Sequence, residues 1–560
     1  MKGGITSGIV YPPAICEIAR KFHFVGVGGT SAGAIAAGIA AAAEYRRRNG
    51  DPSGFDRVAA ISDTLAAPGN LLHLFRPDAE TEDLFDIAMD AMRWGESGLF
   101  SKAWLVLRGL GLYLKHGVTL PLVGNGFGLS SGMANDNPPP RGRIAPLTRW
   151  LADEIDSVAG NIGPDPLTFG DLMGAPIPEK FANTMSGHEH RSIDLRFVTT
   201  CLTFGRPYQL PFDERIFAFD PVEFRRLFPE RVCDYIEREA EKIKSNTLRK
   251  DGKLPFPTGA KMPVIVAVRM SLSFPALFSA VPLYAIDYHT HGNPMKKLFF
   301  SDGGITSNFP IHYFDSLFPR WPTLAITLQQ TGEDGKPRRA SADDTLVHMT
   351  KRASDGALEM WNDGPSTGRS LSRAVAFAGT IFASAQNWHD NNYAKLPGFR
   401  ERVVEIWQKP EEGGLNLEMP PEVIKRLTER GRWAGEQLVA RFADASPEEA
   451  LSWEGHRWAR FRSGMEGLTR YLHQLKATAD HPMPGDRTLQ ELLAAVDAPP
   501  DWKRFDEAQL AQAREAVEKL LAYLGDLEQM DSCGDPWDAP GRPFCDGPRP
   551  SVEIGSRAPM

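Results

Sequence analysis

The stretch FHFVGVGGTSAGAIAAGIAAAA, residues 22–43, decides the fold of this chain. Its apolar run at 22–27 predicts a strand, and its alanine-rich part at 34–43 predicts a helix. Between them lies the turn Gly29-Thr30-Ser31-Ala32-Gly33, a G-x-S-x-G pattern. Glycines let the backbone turn tightly, so the Ser31 hydroxyl stands clear at the start of a helix, where free N–H groups favour an anion. The turn predicts a nucleophilic serine. The alternative is a small-residue turn packed under a helix.

A second turn carries a carboxylate. The apolar run Leu298–Phe300 predicts a strand that leads into Ser301-Asp302-Gly303-Gly304. A carboxylate on a glycine turn can act as a general base, although a lone D-G-G is often only a turn. Sites in α/β sheets assemble at the carboxyl ends of strands. We therefore expect Ser31 and Asp302 to face one crevice.

A third glycine-rich segment, MKGGITSG, opens the chain. Backbone N–H groups around Gly3, Gly4 and Gly8 can point at one negatively charged atom. The loop is not a P-loop, because no Gly-Lys-Ser/Thr follows, and no strand precedes it as a dinucleotide fingerprint requires. Only Met1 and Lys2 stand before the glycines. Either a strand lies upstream of Met1, or the sheet lacks a strand at this position.

Together, GGITSG at 3–8, GTSAG at 29–33 and DGGITSNFP at 302–310 resemble the patatin-like phospholipase family. The stretch VRMSLSFPALFSAVPL at 268–283 is also similar to that family, and the likeness covers roughly residues 1–330. The resemblance implies a three-layer α/β fold, with a mostly parallel central sheet flanked by helices. It also implies hydrolysis of phospholipid or another acyl lipid, with no cofactor and no metal.

Carried over by residue, the resemblance implies that Ser31 is the nucleophile and Asp302 its base. It assigns the oxyanion hole to backbone N–H groups of Gly3, Gly4 and Ile5. The glycines that support these motifs are Gly8, Gly29, Gly33, Gly303 and Gly304.

The first loop departs from the family pattern G-G-G-x-Arg/Lys-G. Ile5 replaces the third glycine and Ser7 replaces the basic residue. A positive φ would strain an isoleucine, whereas a negative φ leaves its N–H able to donate. The departure bears on rate and head-group preference.

Composition limits the other function classes. The chain has 560 residues, of which 42% are hydrophobic and 24% charged, and its net charge of -8 argues against nucleic-acid binding. Five scattered cysteines without a C-x-x-C pair favour a reducing cytoplasm. No apolar run is long enough to span a membrane. We expect a cytoplasmic protein whose membrane contact is peripheral.

One segment is a candidate for that contact. Residues from Phe100 to Lys115 are apolar and aromatic and carry three basic residues without an acid. Such a helix can lie in a membrane interface or cover an acyl-chain pocket. The alternative is a buried core helix whose basic side chains reach water.

We predict a patatin-like domain at 1–335, with a helical and loop insertion at about 50–190. A mainly helical region at 336–530 and a disordered tail at 531–560 follow. Further strands are predicted at Ile193–Phe204, Val264–Val268 and Leu324–Leu328, and an edge strand within Arg400–Lys409. Helices are predicted at Thr345–Trp361, Arg373–Trp388, 421–443, 447–477, 488–496 and 507–528.

Two competing functions follow from the same residues. An α/β-hydrolase esterase shares G-x-S-x-G but needs a late catalytic histidine, and none of the 13 histidines stands in a recognisable motif. A catalytically weak or inactive scaffold that acts through its C-terminal helices is the other alternative. Oligomeric state, head group and acyl position do not follow from the sequence.

Overall fold

The computed structural model of the chain describes residues 1–92, 121–134, 143–181, 191–316, 318–331, 337, 345–351, 398–409, 411–414, 416–480, 485, 487–488, 491 and 506–530. Phe100–Lys115, the segment 373–388, most of 345–361 and 488–496, and the tail 531–560 lie outside these residues, as do the predictions made for them.

Twelve strands form three sheets in the described part of the chain. In chain order they are β1 (Gly26–Gly29), β2 (Gly128–Ser130), β3 (Asp194–Cys201), β4 (Arg206–Leu210), β5 (Ala218–Phe219), β6 (Leu254–Pro255), β7 (Ala276–Phe278), β8 (Val281–Ile286), β9 (Met295–Asp302), β10 (Ala325–Gln330), β11 (Val347–Met349) and β12 (Val403–Gln408).

The α-helices are α1 (Tyr11–Ala19), α2 (Ala32–Arg48), α3 (Gly54–Ala66), α4 (Asn70–Leu74), α5 (Glu82–Met92), α6 (Pro121–Gly124), α7 (Leu147–Ala159), α8 (Phe169–Met173), α9 (Pro221–Leu227), α10 (Glu230–Glu241), α11 (Val264–Ser271), α12 (Pro421–Val439), α13 (Trp453–Asp480) and α14 (Glu507–Met530). The predicted α/β class, with helices against a central sheet and helices at the C-terminal end, is confirmed.

The largest sheet has the order β1-β3-β9-β8-β5-β6, with β4 also paired to β3. The expected mostly parallel arrangement is wrong for it, because β1 and β3 are its one parallel pair among the described strands. The physical reason is connection length. Short turns join β3 to β4 and β8 to β9, and a parallel pair needs a crossover of a dozen residues or more.

Three individual assignments also differ. Val264–Val268 belongs to a helix, α11, because a fully buried apolar run has no periodicity to separate strand from helix. Val347–Met349 is a strand where a helix was predicted. The edge strand predicted near residue 400 is β12, which lies between β10 and β11, and all six of its residues are buried.

The start of the chain lies between two sheets. The Met1 amino nitrogen donates to Gly28 O (2.9 Å), and Lys2 N–H donates to Ile326 O (3.2 Å). Gly28 is in β1 of the large sheet and Ile326 is in β10 of the small sheet. Residues 1–2 therefore connect the facing edges of two strands, and they deliver the glycine loop to the end of β1.

Helix α12 packs closely against α1. A Cβ atom at Gly431 would lie 2.0 Å from Val10 O, and one at Gly435 would lie 2.9 Å from Ala14 O. Both glycines are buried in the middle of α12, where alanine would otherwise be the better helix former. Glycine is present here because the two backbones approach too closely for a side chain. In the described part of the chain, no helix has the length and apolar character needed to cross a membrane.

We expect Gly431→Ala to lower the free energy of unfolding by about 1–3 kcal/mol, because the steric clash outweighs the gain in helix propensity. Urea unfolding followed by circular dichroism measures this. Lys425→Ala, at an exposed position of the same helix, is the control and should be neutral or slightly stabilising. A stabilised Gly431→Ala variant would contradict the close approach.

Candidate active site

The serine turn has the geometry of a strained elbow. Ser31 has φ 53° and ψ −128° and immediately precedes α2. A non-glycine residue in this region costs on the order of 1–3 kcal/mol, and such strain is found mainly at functional sites. Cβ atoms at Gly29 and Gly33 would lie 2.1 Å from Gly33 O and 2.3 Å from Met1 O. The two glycines are therefore required by close backbone contacts on either side of the serine.

Asp302 is the last residue of β9, and it lies at the same height in the sheet as Ser31. In the register, Gly29 pairs with Phe197 of β3, and Thr199 pairs with Asp302. Ser31 follows Gly29 by two residues, as Thr199 follows Phe197. The order β1-β3-β9 thus places the serine and the carboxylate on either side of one central strand, at one end of it.

The short segment from the end of α11 to Ser273 ties both residues together. Ser31 N–H donates to Ser271 O (3.2 Å), and Asp302 N–H donates to Ser273 O (2.9 Å). The hydroxyl of Ser301 also donates to Ser273 O (2.8 Å). Two backbone bonds from one segment therefore fix the spacing between the elbow and the carboxylate.

The Asp302 carboxyl is buried, and no cationic side chain of the described residues is paired with it. Its Oδ1 accepts from Gly304 N–H (2.6 Å), whereas Oδ2 has no hydrogen-bond partner of normal geometry in the described part of the chain. Burial raises the pKa of Asp302 to about 7, and hydrogen bonding from Ser31 and from Gly304 N–H opposes that rise. At neutral pH the group titrates, which suits a proton acceptor.

The glycines after Asp302 are also required by close contacts. A Cβ atom at Gly303 would lie 2.1 Å from Val198 O, and one at Gly304 would lie 2.9 Å from Asp302 Oδ1. Glycine therefore lets the turn fold against β3 and lets its N–H reach the carboxylate.

The first loop packs directly against the serine. A Cβ atom at Gly3 would lie 2.8 Å from Ser31 Cβ, and one at Gly8 would lie 3.0 Å from Ala32 Cβ. Ile5 has φ −46° and ψ −78°, so the isoleucine is unstrained at this position. The open question about the third residue of the motif is thereby answered in favour of a negative φ.

The loop N–H groups are not equivalent. Gly3 N–H donates to Asn308 O (3.2 Å) and to Asn308 Oδ1 (3.1 Å), and Thr6 N–H donates to Gly414 O (3.1 Å). Gly4 and Ile5 lie between them, and within the described residues their N–H groups have no recorded acceptor. Gly4 and Ile5 are therefore two adjacent backbone donors in the loop whose Gly3 packs against Ser31.

Sequence reasoning missed the residues that position these groups. Asn308 lies six residues after Asp302, and its backbone oxygen also accepts from Thr30 Oγ1 (2.9 Å). Asn308 lies within the motif DGGITSNFP, so the sequence does place an amide side chain close to the aspartate. Gly414 carried no signal, because it is some four hundred positions from the loop that it contacts.

Arg269 is a second missed residue. Its guanidinium is fully buried and bonds Ser273 Oγ (2.6 Å), Ser279 O (3.0 Å), Thr148 Oγ1 (3.2 Å) and Ser131 O (3.3 Å). Burial lowers the pKa of Arg269 to about 10. The side chain braces the segment that holds the elbow and the carboxylate.

An apolar cavity of about 410 Å³ lies elsewhere in the described part of the chain. It is bounded by Val27 and Gly28 on one side and Ile326 on the other, with Phe314 and Trp321 among its walls. Ser31 and Asp302 are not among its lining residues. Residues of both β1 and β10 line the cavity.

Known proteins are similar to this chain over the residues of the candidate site. A family model described as patatin-like phospholipase matches residues 1–315. The chain is also 32% identical, over 621 aligned residues, to the "RpoH suppressor" of Rhizobium meliloti (strain 1021), with 93% of each chain covered. The family match includes all three motifs, so the resemblance inferred from them is confirmed. The similarity to the relative extends through the C-terminal part.

We expect Asp302→Asn to stabilise the protein at pH 8 by about 2–4 kcal/mol. The folded state binds the Asp302 proton more tightly than the unfolded state, so ionisation destabilises the fold as pH rises from about 4 to about 7. The gain should therefore be present at pH 8 and shrink as the pH falls toward 5, as measured by urea unfolding. Asp287→Asn is the control, since hydrogen bonding from Lys296 lowers the pKa of Asp287. That variant should not gain stability. An equal effect of Asp302→Asn at both pH values would refute the buried ionisation.

Proposed function

Because the chain belongs to the patatin-like phospholipase family, we propose that it is a lipid acyl hydrolase that cleaves fatty acyl esters with Ser31 and Asp302. The observation that carries this proposal is that Ser31 and Asp302 lie at the same height in the central sheet. The strained serine and a buried carboxyl with a pKa of about 7 stand on either side of β3. The substrate is phospholipid or another acyl lipid. The scattered cysteines favour a cytoplasmic location. We infer that the enzyme reaches its lipid substrate at a membrane surface.

The reaction has two halves. In the first, Asp302 accepts the proton of Ser31 while Ser31 Oγ forms a bond to the ester carbonyl carbon. The carbonyl electron pair moves onto its oxygen, and the free N–H groups of Gly4 and Ile5 stabilise that oxyanion. Gly3 contributes its close packing against the serine. When the tetrahedral intermediate collapses, the bond to the leaving alcohol breaks and Asp302 returns the proton to it.

Deacylation repeats the same steps with water. Asp302 takes a proton from water, the hydroxide adds to the acyl carbonyl carbon, and collapse breaks the bond to Ser31 Oγ. The proton goes back to the serine and the fatty acid is released. One carboxyl thus serves as base and acid in both halves. This requires a pKa near the working pH.

A scaffold without catalysis is the second candidate. One observation favours it: Gly3 N–H is already bonded to Asn308 and is therefore not a free donor for an oxyanion. The strain at Ser31 and the burial of Asp302, with which no cationic side chain of the described residues is paired, argue for hydrolysis, because both cost stability and neither helps a scaffold. The C-terminal helices would carry a partner surface in that case.

We expect Ser31→Ala to lower the hydrolysis of p-nitrophenyl esters and of phospholipid vesicles by about 10⁴-fold or more, because no other nucleophile replaces the serine. Release of p-nitrophenol and of fatty acid measures this. Ser62→Ala is the control: Ser62 is buried in α3 and its hydroxyl has no partner among the described residues. Equal slow turnover by the parent and by Ser31→Ala would favour the scaffold.

We also expect kcat/KM of the parent to rise with pH as a single ionisation with a midpoint near 7. Asp302 must be ionised to accept the serine proton, and burial holds its pKa in that range. The measurement is ester hydrolysis between pH 5 and 9 at constant ionic strength. A midpoint near 4 would mean that the base is a solvated carboxylate and not Asp302.

A further inference from the structure

Resting on the function proposed above, we propose that the C-terminal part of the chain holds the oxyanion loop through a clamp made by Gln408 and Gly414. These two residues are then positioning residues for the reaction. The clamp grips Thr6 and Ser7, which directly follow the two N–H donors. All four residues are described, and Ser7 and Gln408 are almost completely buried.

Ser7 makes the central contact. Its hydroxyl oxygen accepts from Gly414 N–H (3.1 Å) and its proton goes to Gln408 Oε1 (2.8 Å). A hydroxyl has one proton, so the bond from Gly414 fixes which way the Ser7 hydroxyl points. Ser7 stands where the related motif has a basic residue. Its short side chain fits between Gln408 and Gly414, which a lysine or arginine would not.

Thr6 makes the second contact. Its N–H (3.1 Å) and its Oγ1 (3.0 Å) both donate to Gly414 O. Gly414 therefore binds the loop through its donor and its acceptor at once. Gly4 and Ile5 are held on the other side by Gly3, which is bonded to Asn308. The two free donors are bracketed by bonds to two distant parts of the chain.

The clamp itself is rigidly supported. Arg430 of α12 forms a buried ion pair with Glu412, and Arg430 Nη1 also bonds Trp407 O (3.1 Å). Lys409 N–H donates to Glu412 Oε2 (3.0 Å). These bonds tie Lys409 and Glu412, which lie on the chain before Gly414, to β12 and α12. Removing one partner of the buried ion pair would leave an uncompensated charge.

Gly413 shows how tightly the parts fit. Its φ is +72°, and a Cβ atom there would lie 2.4 Å from Ser7 Oγ and 2.8 Å from Gln408 Oε1. A side chain at this position would therefore open the clamp at the bond between serine and glutamine. The glycine is needed both for its backbone conformation and for its size.

The test uses the full-length protein with Gln408→Met, Ser7→Ala and the double variant. Methionine keeps the length of glutamine but cannot accept the Ser7 proton. The control is Gln329→Met on the neighbouring strand β10, where glutamine is half-buried. We measure kcat and KM for a p-nitrophenyl ester per site titrated with a fluorophosphonate, and hydrogen exchange of the peptide that covers residues 3–8.

We expect each single variant to lose about 10–100-fold in kcat, less than the loss of a whole oxyanion donor, with KM changed less than about threefold. The double variant should lose less than the product of the two single losses, because both remove the bond between Ser7 and Gln408. Each single variant also removes one bond of its own, from Gly414 N–H to Ser7 Oγ or from Gln330 Nε2 to Gln408 Oε1. Exchange in the loop should accelerate, and the midpoint of the pH profile should stay near 7.

A merely structural role would lower the fraction of titratable sites and leave kcat per site unchanged, and that result overturns the proposal. Additive losses in the double variant, or unchanged exchange in the loop, overturn it as well. If the parent itself shows no hydrolysis that depends on Ser31, the proposed function fails. Accelerated exchange would then still support the clamp as the support of the loop.

Discussion

The candidate site depends on one constraint, which is that β3 lies between β1 and β9 with a fixed register to each. Gly29 is opposite Phe197 and Asp302 is opposite Thr199. A slip of one residue in either pairing would turn one of the two functional side chains to the other face. β3 is buried along most of its length, so the hydrophobic core fixes that register. The chemistry is thereby tied to the packing of a single strand.

The same arrangement lowers the stability of the fold at two positions. Ser31 occupies a strained backbone conformation, and Asp302 is buried with one oxygen lacking a normal hydrogen bond in the described structure. The segment from Ser271 to Ser273, braced by Arg269, holds both in place through backbone bonds. Strain that the surroundings over-determine is typical of a functional site.

Much of this was readable in the sequence, and the reasons are local. Glycines lie within two residues of Ser31 and of Asp302, which made both turns readable, although Gly33 and Gly303 are required by contacts with Met1 and Val198 from other parts of the chain. The direction of strand pairing and the helix at Val264–Ser271 were not readable, because both depend on tertiary neighbours. Asn308 lies within the motif DGGITSNFP, but the motif alone does not show which groups its side chain and backbone bind. Gln408 and Gly414 act across some four hundred positions, where a single sequence has no pattern to show.

That long-range contact changes how the two parts of the chain relate. β10 pairs with β12 in one small sheet, so residues on both sides of the expected division near 335 share one set of strands. Met1 and Lys2 lie between this sheet and β1, and the loop that follows reaches Ser31. The position of Gly4 and Ile5 therefore depends on where two sheets meet. A change in the C-terminal helices that moved β12 would move the two proposed oxyanion donors with it, without touching either the serine or the aspartate.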